Sequence, residues 1–155
     1  MIGERLSDVQ IERFLSTHPK SRSIFLGCAP SDQIPDSDVY PYALVVNTDD
    51  SQGRGIHWTA FFVTSPSRVE YFDPLGRPPP HGGIKEFYEG FPIRRRSVEP
   101  LQSLFINACG PFVLYFLLRR CGGKSFESIV DSLKMMRNPD SMVTQWFNRL
   151  RHYAR

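Results

Sequence analysis

The sequence predicts an α+β fold, with strands in the first half of the chain and helices in the second. Runs of β-branched and aromatic residues at 42–47 and 57–64 are typical of buried strands. From Cys109 onward, apolar residues recur at helical spacing. The 155 residues contain no internal repeat and no Gly/Ser linker. One domain over residues 1–155, built around a single core, is therefore expected.

The predicted elements follow one another in a simple order. Ser7 or Asp8 caps a first short helix, and a Pro- and Asp-rich loop occupies residues 29–41. Three strands are predicted at 42–47, 57–64 and 68–73, and Cys28 is assigned to a loop. Prolines and glycines at 74–83 exclude regular structure there. A brief helix at 84–89, a strand at 93–98 and three helices starting near 109, 125 and 138 complete the chain.

Composition limits the class of protein. Hydrophobic residues make up 41% and charged residues 23% of the chain, as in ordinary soluble domains. No apolar run reaches the roughly 18 residues that span a bilayer, and no signal peptide is visible. Three cysteines give neither a disulfide framework nor a CxxC pair for zinc. An intracellular protein without a metal or a membrane contact is expected, and a monomer.

Cys109 is the candidate nucleophile. It lies in NACGPF at the predicted start of a helix, where the helix dipole lowers the pKa of a thiol. Gly110 removes side-chain bulk beside the sulfur, so a peptide backbone can approach. Cys121 falls in the last turn of the same helix, where the dipole acts in the opposite sense. The alternative for each cysteine is a small buried apolar residue.

His57 is the candidate base, and Asp73 the group that orients it. Of the four histidines, His57 alone is predicted on a strand, the rigid structure that a base requires. A hairpin of this length brings the start of one strand beside the end of the next, which places Asp73 within reach of His57. A surface histidine and a turn-capping aspartate are the alternatives.

Gln102 precedes Cys109 by seven residues, in LQSLFINACG. Its amide is a candidate donor to a developing oxyanion, beside the backbone N–H of Cys109. A cysteine, a histidine, an acid and an oxyanion donor are the parts that acyl transfer by a thiol needs. The sequence therefore favours a cysteine hydrolase.

Several segments resemble adenain, the adenovirus endopeptidase, and its relatives in Maverick/Polinton-type elements and other large DNA viruses. The similar stretches are SIFLGCAPSDQIPD, LVVNT…GRGIHWTAFFV, YFDPLG and Q-x6-CG, which span roughly residues 25–118. The resemblance implies a papain-like fold, in which helices, including the one that bears the nucleophile, pack on a central mixed sheet. It also implies that Cys109 is the nucleophile, His57 the base, Asp73 its orienting group and Gln102 part of the oxyanion hole.

The proteases that process SUMO and other ubiquitin-like proteins are distant members of the same superfamily. They typically have Asp-Ser after the third strand, Asp-Cys-Gly at the nucleophile and one residue fewer between Gln and Cys. This chain has Asp-Pro, Ala-Cys-Gly and the longer spacing. It is shorter than the adenovirus enzymes after the nucleophile helix. Residues 74–101 contain no cysteine that could tether an activating peptide.

The resemblance implies cleavage after glycine, at Gly-Gly or Gly-x-Gly sites in capsid or core precursors, within the host nucleus or the virion. Trp58 and Gly110 would line a narrow substrate tunnel. No cofactor is required for the chemistry, but a peptide or DNA remains open as an activator. Alternatives are a protease for ubiquitin-like modifiers, and an inactive nucleic-acid-binding module. The run Arg94, Arg95 and Arg96 is the candidate DNA contact; a solvated strand is the commoner explanation of such a run, so DNA binding is a secondary suggestion.

Overall fold

The computed structural model describes residues 5–53, 57–103 and 108–155. Within these ranges, five strands form one mixed sheet in the order β1-β2-β3-β4-β5. The outer pairs, β1 with β2 and β4 with β5, are parallel, and the inner pairs are antiparallel. The predicted α+β class with a central mixed sheet is confirmed. The strands are β1 (Phe25–Ala29), β2 (Tyr42–Asn47), β3 (Trp58–Ser65), β4 (Arg68–Phe72) and β5 (Ile93–Arg96).

Three of the five described α-helices begin at a residue whose side chain caps the first turn. Ser7 and Gln10 form a capping box at the first helix, and Ser125 caps the fourth by accepting from the N–H of Ser128. Asn138 caps the fifth, with Pro139 in its first turn. The helices are α1 (Asp8–Thr17), α2 (Gly83–Glu89), α3 (Cys109–Cys121), α4 (Phe126–Met135) and α5 (Pro139–Leu150), and a 3₁₀ turn, Arg151–Ala154, follows.

Both faces of the sheet are covered. One face carries Ala43, Val45, Ala60, Phe62 and Phe72, which belong to the same apolar cluster as α1, α3, α4 and α5. The alternate residues of β2, β3 and β4 form a second cluster with Ile84 of α2. Every residue of α3 from Cys109 to Leu118 is buried. The helix that carries the candidate nucleophile is therefore the central helix of the larger core.

Strand β1 was not predicted, and Cys28 lies in it rather than in a loop. The pairing with β2 shifts register between Phe25 and Gly27, which leaves Leu26 exposed. Gly27 has a φ of 151°, and the N–H of Cys28 is bound by the carboxylate of Glu12 from α1 (2.9 Å). The bulge interrupts the alternation of apolar residues by which a strand is recognised in a sequence.

An ion pair fixes the far end of α3 to the sheet. The guanidinium of Arg120 donates to both carboxylate oxygens of Glu70 in β4, at 2.8 and 3.0 Å, and lies over the ring of Phe62. This fork geometry is specific to arginine and a carboxylate. The described parts of the chain contain no helix that is long and apolar enough to cross a membrane.

Candidate active site

His57 and Asp73 are in contact at one end of the β3–β4 hairpin. Nε2 of His57, the residue before β3, lies 2.6 Å from Oδ1 of Asp73, the residue after β4. A carboxylate can only accept, so Nε2 carries the hydrogen and the other ring nitrogen, Nδ1, is left to face a partner. The backbone carbonyl of His57 accepts from the N–H of Thr48 (2.9 Å), which fixes the start of the strand.

Cys109 is the first residue of α3 and is almost fully buried beside His57. The N-cap residue, Ala108, has no side chain that could satisfy the N–H groups of the first turn. Burial acts to raise the pKa of the thiol, but hydrogen bonding with His57 and with the backbone N–H groups of Trp58 and Gly110 outweighs it, and the pKa of Cys109 is lowered. The sulfur is therefore set up to be a thiolate.

The pKa of the His57 imidazole is shifted upward, opposite to that of the Cys109 thiol. Burial acts to lower the pKa of His57, but its hydrogen bonds with Asp73 and Cys109 and their negative charges raise it to about 9. A lowered thiol pKa beside a raised imidazole pKa favours the ion pair of thiolate and imidazolium near neutral pH. This pair is the reactive form of a cysteine nucleophile.

The other two cysteines lack such a setting. Burial raises the pKa of Cys121 to about 11. Burial and the nearby carboxylates of Glu12 and Asp8 raise the pKa of Cys28 well above its usual range. Both thiols are therefore expected to stay protonated and unreactive at neutral pH.

Alkylation of Cys109 by iodoacetamide is expected to be at least about tenfold faster than that of Cys28 or Cys121 at pH 7, because the thiolate is the nucleophile. Mass spectrometry of each cysteine-containing peptide across pH 5–10 measures these alkylation rates. Equal rates for the three cysteines at pH 7 would contradict this expectation.

The rate of peptide cleavage should also depend on pH in two steps. It should rise as Cys109 loses its proton, at a pH below the usual thiol range, and fall as His57 loses its proton near pH 9.

Gln102 lies in a segment that is held against the turn after Asp73. The carbonyl of Pro74 accepts from the N–H groups of Leu101 (2.7 Å) and Gln102 (3.2 Å). The N–H of Ser103 is bound by the carboxylate of Asp140 in α5. Gln102 itself is 8% exposed. These bonds connect the backbone of the candidate oxyanion donor to the residue that follows the candidate orienting acid.

Gly110 and Trp58 are both tied to the residues before α1. A Cβ on Gly110 would lie 3.0–3.2 Å from the side chain of Leu6, so this contact accounts for the glycine without a peptide substrate. The indole of Trp58 donates to the carbonyl of Leu6 (3.1 Å). The role of Gly110 in a substrate tunnel stays a prediction. Sequence reasoning missed Leu6, because no pattern in the chain indicates which residue packs on the nucleophile helix.

A cleft of about 630 Å³ opens beside Trp58, a size in the range of ligand-binding sites. The segment from Arg5 to Asp8 forms one wall, and residues 50–53 contribute to another. The carboxylate of Asp32 holds the second wall by accepting from the N–H and hydroxyl of Ser51, at 2.8 and 2.6 Å. Cys109 and His57 are not among the residues that line the cleft, but Trp58, which lines it, contacts the sulfur of Cys109 through its backbone N–H.

The three consecutive arginines of β5 do not share a surface, because side chains alternate along a strand. Arg95 pairs with Glu127 and lies over the ring of Phe126 in α4. Arg94 lies over the ring of Tyr88 in α2 and donates to the carbonyl of Glu89 (3.3 Å). Arg96 donates to the carbonyl of Ser97 (3.2 Å). A DNA contact through this run stays a prediction.

No protein-family model matches the sequence, and no curated protein matches it. Solved structures match it through their fold. The ASFV pS273R protease aligns with a TM-score of 0.64 at 19% identity, over 98% of this chain and 68% of its own. The papain-like protease fold is thereby shown. The central domain of the uncharacterized Lpg1148 protein from Legionella pneumophila aligns with a TM-score of 0.58 at 13% identity, over 97% of this chain and 98% of that domain.

At such identities the similarity concerns the fold, and the chemistry depends on the side chains that this papain-like fold carries. In this chain the fold brings together Cys109 at the start of α3, His57 just before β3 and Asp73 just after β4. Among the described residues, no group of three or more His, Cys, Asp or Glu side chains is arranged to hold a metal ion. A thiol, an imidazole and a carboxylate in this arrangement are the groups that acyl transfer by a cysteine uses.

Proposed function

We propose that this protein is a cysteine endopeptidase in which Cys109 is the nucleophile, His57 the general acid and base, and Asp73 the residue that orients the imidazole. The observation that supports it most is that His57 contacts both other groups. Asp73 binds Nε2 of His57 at 2.6 Å, and the hydrogen bond with His57 lowers the pKa of Cys109. Buried groups whose pKa values are shifted by specific charged partners are typical of functional sites, and less typical of a cysteine that only packs in the core.

The mechanism follows from this arrangement. The Cys109 thiolate attacks the carbonyl carbon of the scissile peptide, and the carbonyl oxygen becomes an oxyanion. The His57 imidazolium gives its proton to the leaving amine, and the acyl group stays on the sulfur. Neutral His57 then takes a proton from water, which attacks the thioester and frees the acid. Asp73 keeps the hydrogen on Nε2 throughout, so Nδ1 exchanges protons.

The oxyanion needs donors on the side of the carbonyl that faces away from His57. The backbone N–H of Cys109 at the start of α3 is one candidate, since the helix dipole adds a favourable field there. The side-chain amide of Gln102 is the second, and the hydrogen bond that its backbone N–H donates to the carbonyl of Pro74 fixes its backbone. Removal of one such donor costs about 10²–10³-fold in turnover in other enzymes of this kind.

We propose cleavage after glycine, at Gly-Gly or Gly-x-Gly sites of precursor proteins encoded by a virus or a transposon. The resemblance of the motifs to adenain-type proteases supports this substrate class, and the fold shared with the ASFV pS273R protease supports protease activity in general. Trp58 and Gly110 are the proposed tunnel walls. The enzyme would act as a monomer in the host nucleus or the virion, and DNA through Arg94–Arg96 or a peptide would serve as activator.

Peptide-library cleavage with and without DNA tests the proposal. We expect cleavage of Leu-x-Gly-Gly reporters and at least about 10²-fold less with alanine at the position before the cut, since a side chain would have to enter the tunnel. Equal cleavage of the alanine peptide would overturn the glycine specificity. Absence of cleavage under all conditions, with Cys109 no more reactive than Cys121, would overturn the protease and favour an inactive nucleic-acid-binding module.

The second candidate substrate class is a ubiquitin-like modifier, whose C-terminal Gly-Gly would fit the same tunnel. Reaction of Cys109 with a ubiquitin-like vinyl sulfone probe, contrasted with a short Gly-Gly vinyl sulfone, distinguishes the two classes. A short probe that reacts as fast as the folded modifier supports the precursor protease. Preference for the modifier by a factor of about 10² would indicate a surface that recognises the folded domain.

A further inference from the structure

The ladder between β4 and β5 ends just before Asp73. Its last registered pair joins Tyr71 to Arg96, and the N–H of Ser97 donates to the carbonyl of Tyr71 (3.1 Å). Strand β5 is therefore shorter than the 93–98 strand that the sequence predicts. Beyond this point, β5 no longer pairs with β4, and the buried backbone of Asp73 needs other partners for its N–H and carbonyl on that side.

The hydroxyl of Ser97 supplies both. It accepts from the N–H of Asp73 and donates to the carbonyl of Asp73, each at 2.9 Å. A hydroxyl can do this because it has one hydrogen and two lone pairs. Ser97 is 2% exposed, so water does not replace these bonds in the folded protein. One side chain thus fixes the backbone of the residue whose carboxylate binds His57.

The carboxylate of Asp73 is held by its own turn. Oδ1 accepts from Nε2 of His57 and from the N–H of Leu75 (2.8 Å). The carbonyl of Asp73 also accepts from the N–H of Gly76 (2.8 Å), which closes the Asp-Pro-Leu-Gly turn. With the backbone bound by Ser97 and the carboxylate bound by Leu75, the direction of the bond to His57 is determined.

The chain after Ser97 then crosses the same turn. A Cβ on Gly76 would lie 2.4 Å from the backbone of Glu99, so the two segments are in direct backbone contact. Gly76 also has a φ of 70°, which glycine adopts without strain. The carbonyl of Pro74 next binds the N–H of Gln102. Ser97 is therefore the first attachment of a segment that ends at the candidate oxyanion donor.

We propose that Ser97 is a positioning residue for the catalytic centre: its hydroxyl holds Asp73 in the place from which it orients His57, and it anchors the segment that carries Gln102. The inference rests on the proposed function, since an orienting role has meaning only if His57 acts in catalysis. Nothing in the sequence distinguishes Ser97 from the other serines, because its partners lie 24 residues away along the chain.

The test is Ser97→Ala, with Ser97→Thr to restore the hydroxyl. We expect Ser97→Ala to lower kcat for a Gly-Gly reporter by about 10- to 100-fold with little change in KM, because misplaced catalytic groups lose that much. Asp73 and Cys109 are the groups that raise the pKa of His57. Weaker contact with Asp73 should therefore move the alkaline limb of the rate profile to lower pH, and an NMR titration of His57 should show the same shift.

Ser21→Ala is the matched control. Ser21 is also fully buried, and its hydroxyl donates to the carbonyl of Leu15 (2.7 Å), away from the candidate site. It should lose stability and leave the His57 titration and kcat unchanged. If Ser97→Ala does not fold, Ser97→Cys keeps the approximate size with a weaker hydrogen-bonding group, and a smaller shift in the same direction is expected.

A folded Ser97→Ala protein with unchanged kcat and unchanged His57 titration would overturn the inference, as would a shift that Ser97→Thr fails to reverse. The titration does not depend on a substrate, so the two proposals can fail separately. Suppose that the wild-type protein cleaves nothing, but that the pKa of His57 differs between the wild type and Ser97→Ala. This result would support the positioning contact of Ser97 and overturn the proposed protease activity.

Discussion

Cys109→Ala is expected to lower cleavage of a Leu-x-Gly-Gly reporter by at least about 10⁴-fold while the fold stays intact. The loss is large because the thiolate forms the covalent bond to substrate, and the imidazole and oxyanion donors cannot replace it. The fold should survive because the change removes one atom at the first turn of α3, whose remaining buried residues supply the packing. Cleavage rates and circular dichroism of the purified variant measure the two parts.

Cys121→Ala and Cys28→Ala are the matched controls for this prediction. They remove the same atom from thiols whose pKa is raised rather than lowered, and neither contributes to the contact between His57 and Asp73. Both should keep activity within about twofold, as substitutions outside a catalytic centre usually do. Full activity in Cys109→Ala, or a loss in Cys121→Ala of the same size, would contradict the assignment of the nucleophile.

Phe116→Ala is expected to lower the free energy of unfolding by about 3–5 kcal/mol. The ring of Phe116 is fully buried and stacks on that of Phe72, with centroids 4.5 Å apart and planes 2° from parallel. It also meets the edge of the Phe126 ring. The contact joins α3 to β4, so its loss leaves a cavity between the element that carries Cys109 and the strand that precedes Asp73.

Urea denaturation of wild type and Phe116→Ala measures this loss, and Phe91→Ala is its control. Phe91 is half-buried at the margin of the second core, beside Phe87. Removal of the Phe91 ring loses less buried apolar surface than removal of the Phe116 ring. It should therefore lower the free energy of unfolding by less than about half as much. A cost for Phe116→Ala that does not exceed that for Phe91→Ala would mean that α3 and β4 are not held together by this stack.

The sequence was sufficient for the elements whose signals are local. The Ser7 cap, the hairpin of β3 and β4, and the helix that begins at Cys109 all depend on neighbouring residues. The hairpin also explains why the sequence alone places His57 near Asp73: a short antiparallel turn determines which residues face each other. Their distance of 2.6 Å agrees with that reasoning, and their catalytic roles stay predictions.

The features that the sequence could not indicate all involve distant partners. Strand β1 depends on a parallel pairing with β2 and on a bulge that hides its alternation. Leu6 contacts Gly110 and Trp58 across the whole fold. Ser97 binds the backbone of Asp73 where the β4–β5 ladder ends, and Glu70 forms an ion pair with Arg120, which lies 50 residues further along the chain. Each choice of partner is decided by tertiary packing, for which a serine, a leucine or a glutamate carries no local signal.

The Phe72–Phe116 stack has a consequence for when the proposed active site forms. His57 and Asp73 lie in the first half of the chain and Cys109 in the second, and the stack joins the two halves. A growing polypeptide that stops before α3 therefore holds the proposed base and its proposed orienting acid without the proposed nucleophile. Since synthesis proceeds from the N-terminus, the proposed cleavage begins only after α3 has been made and docked.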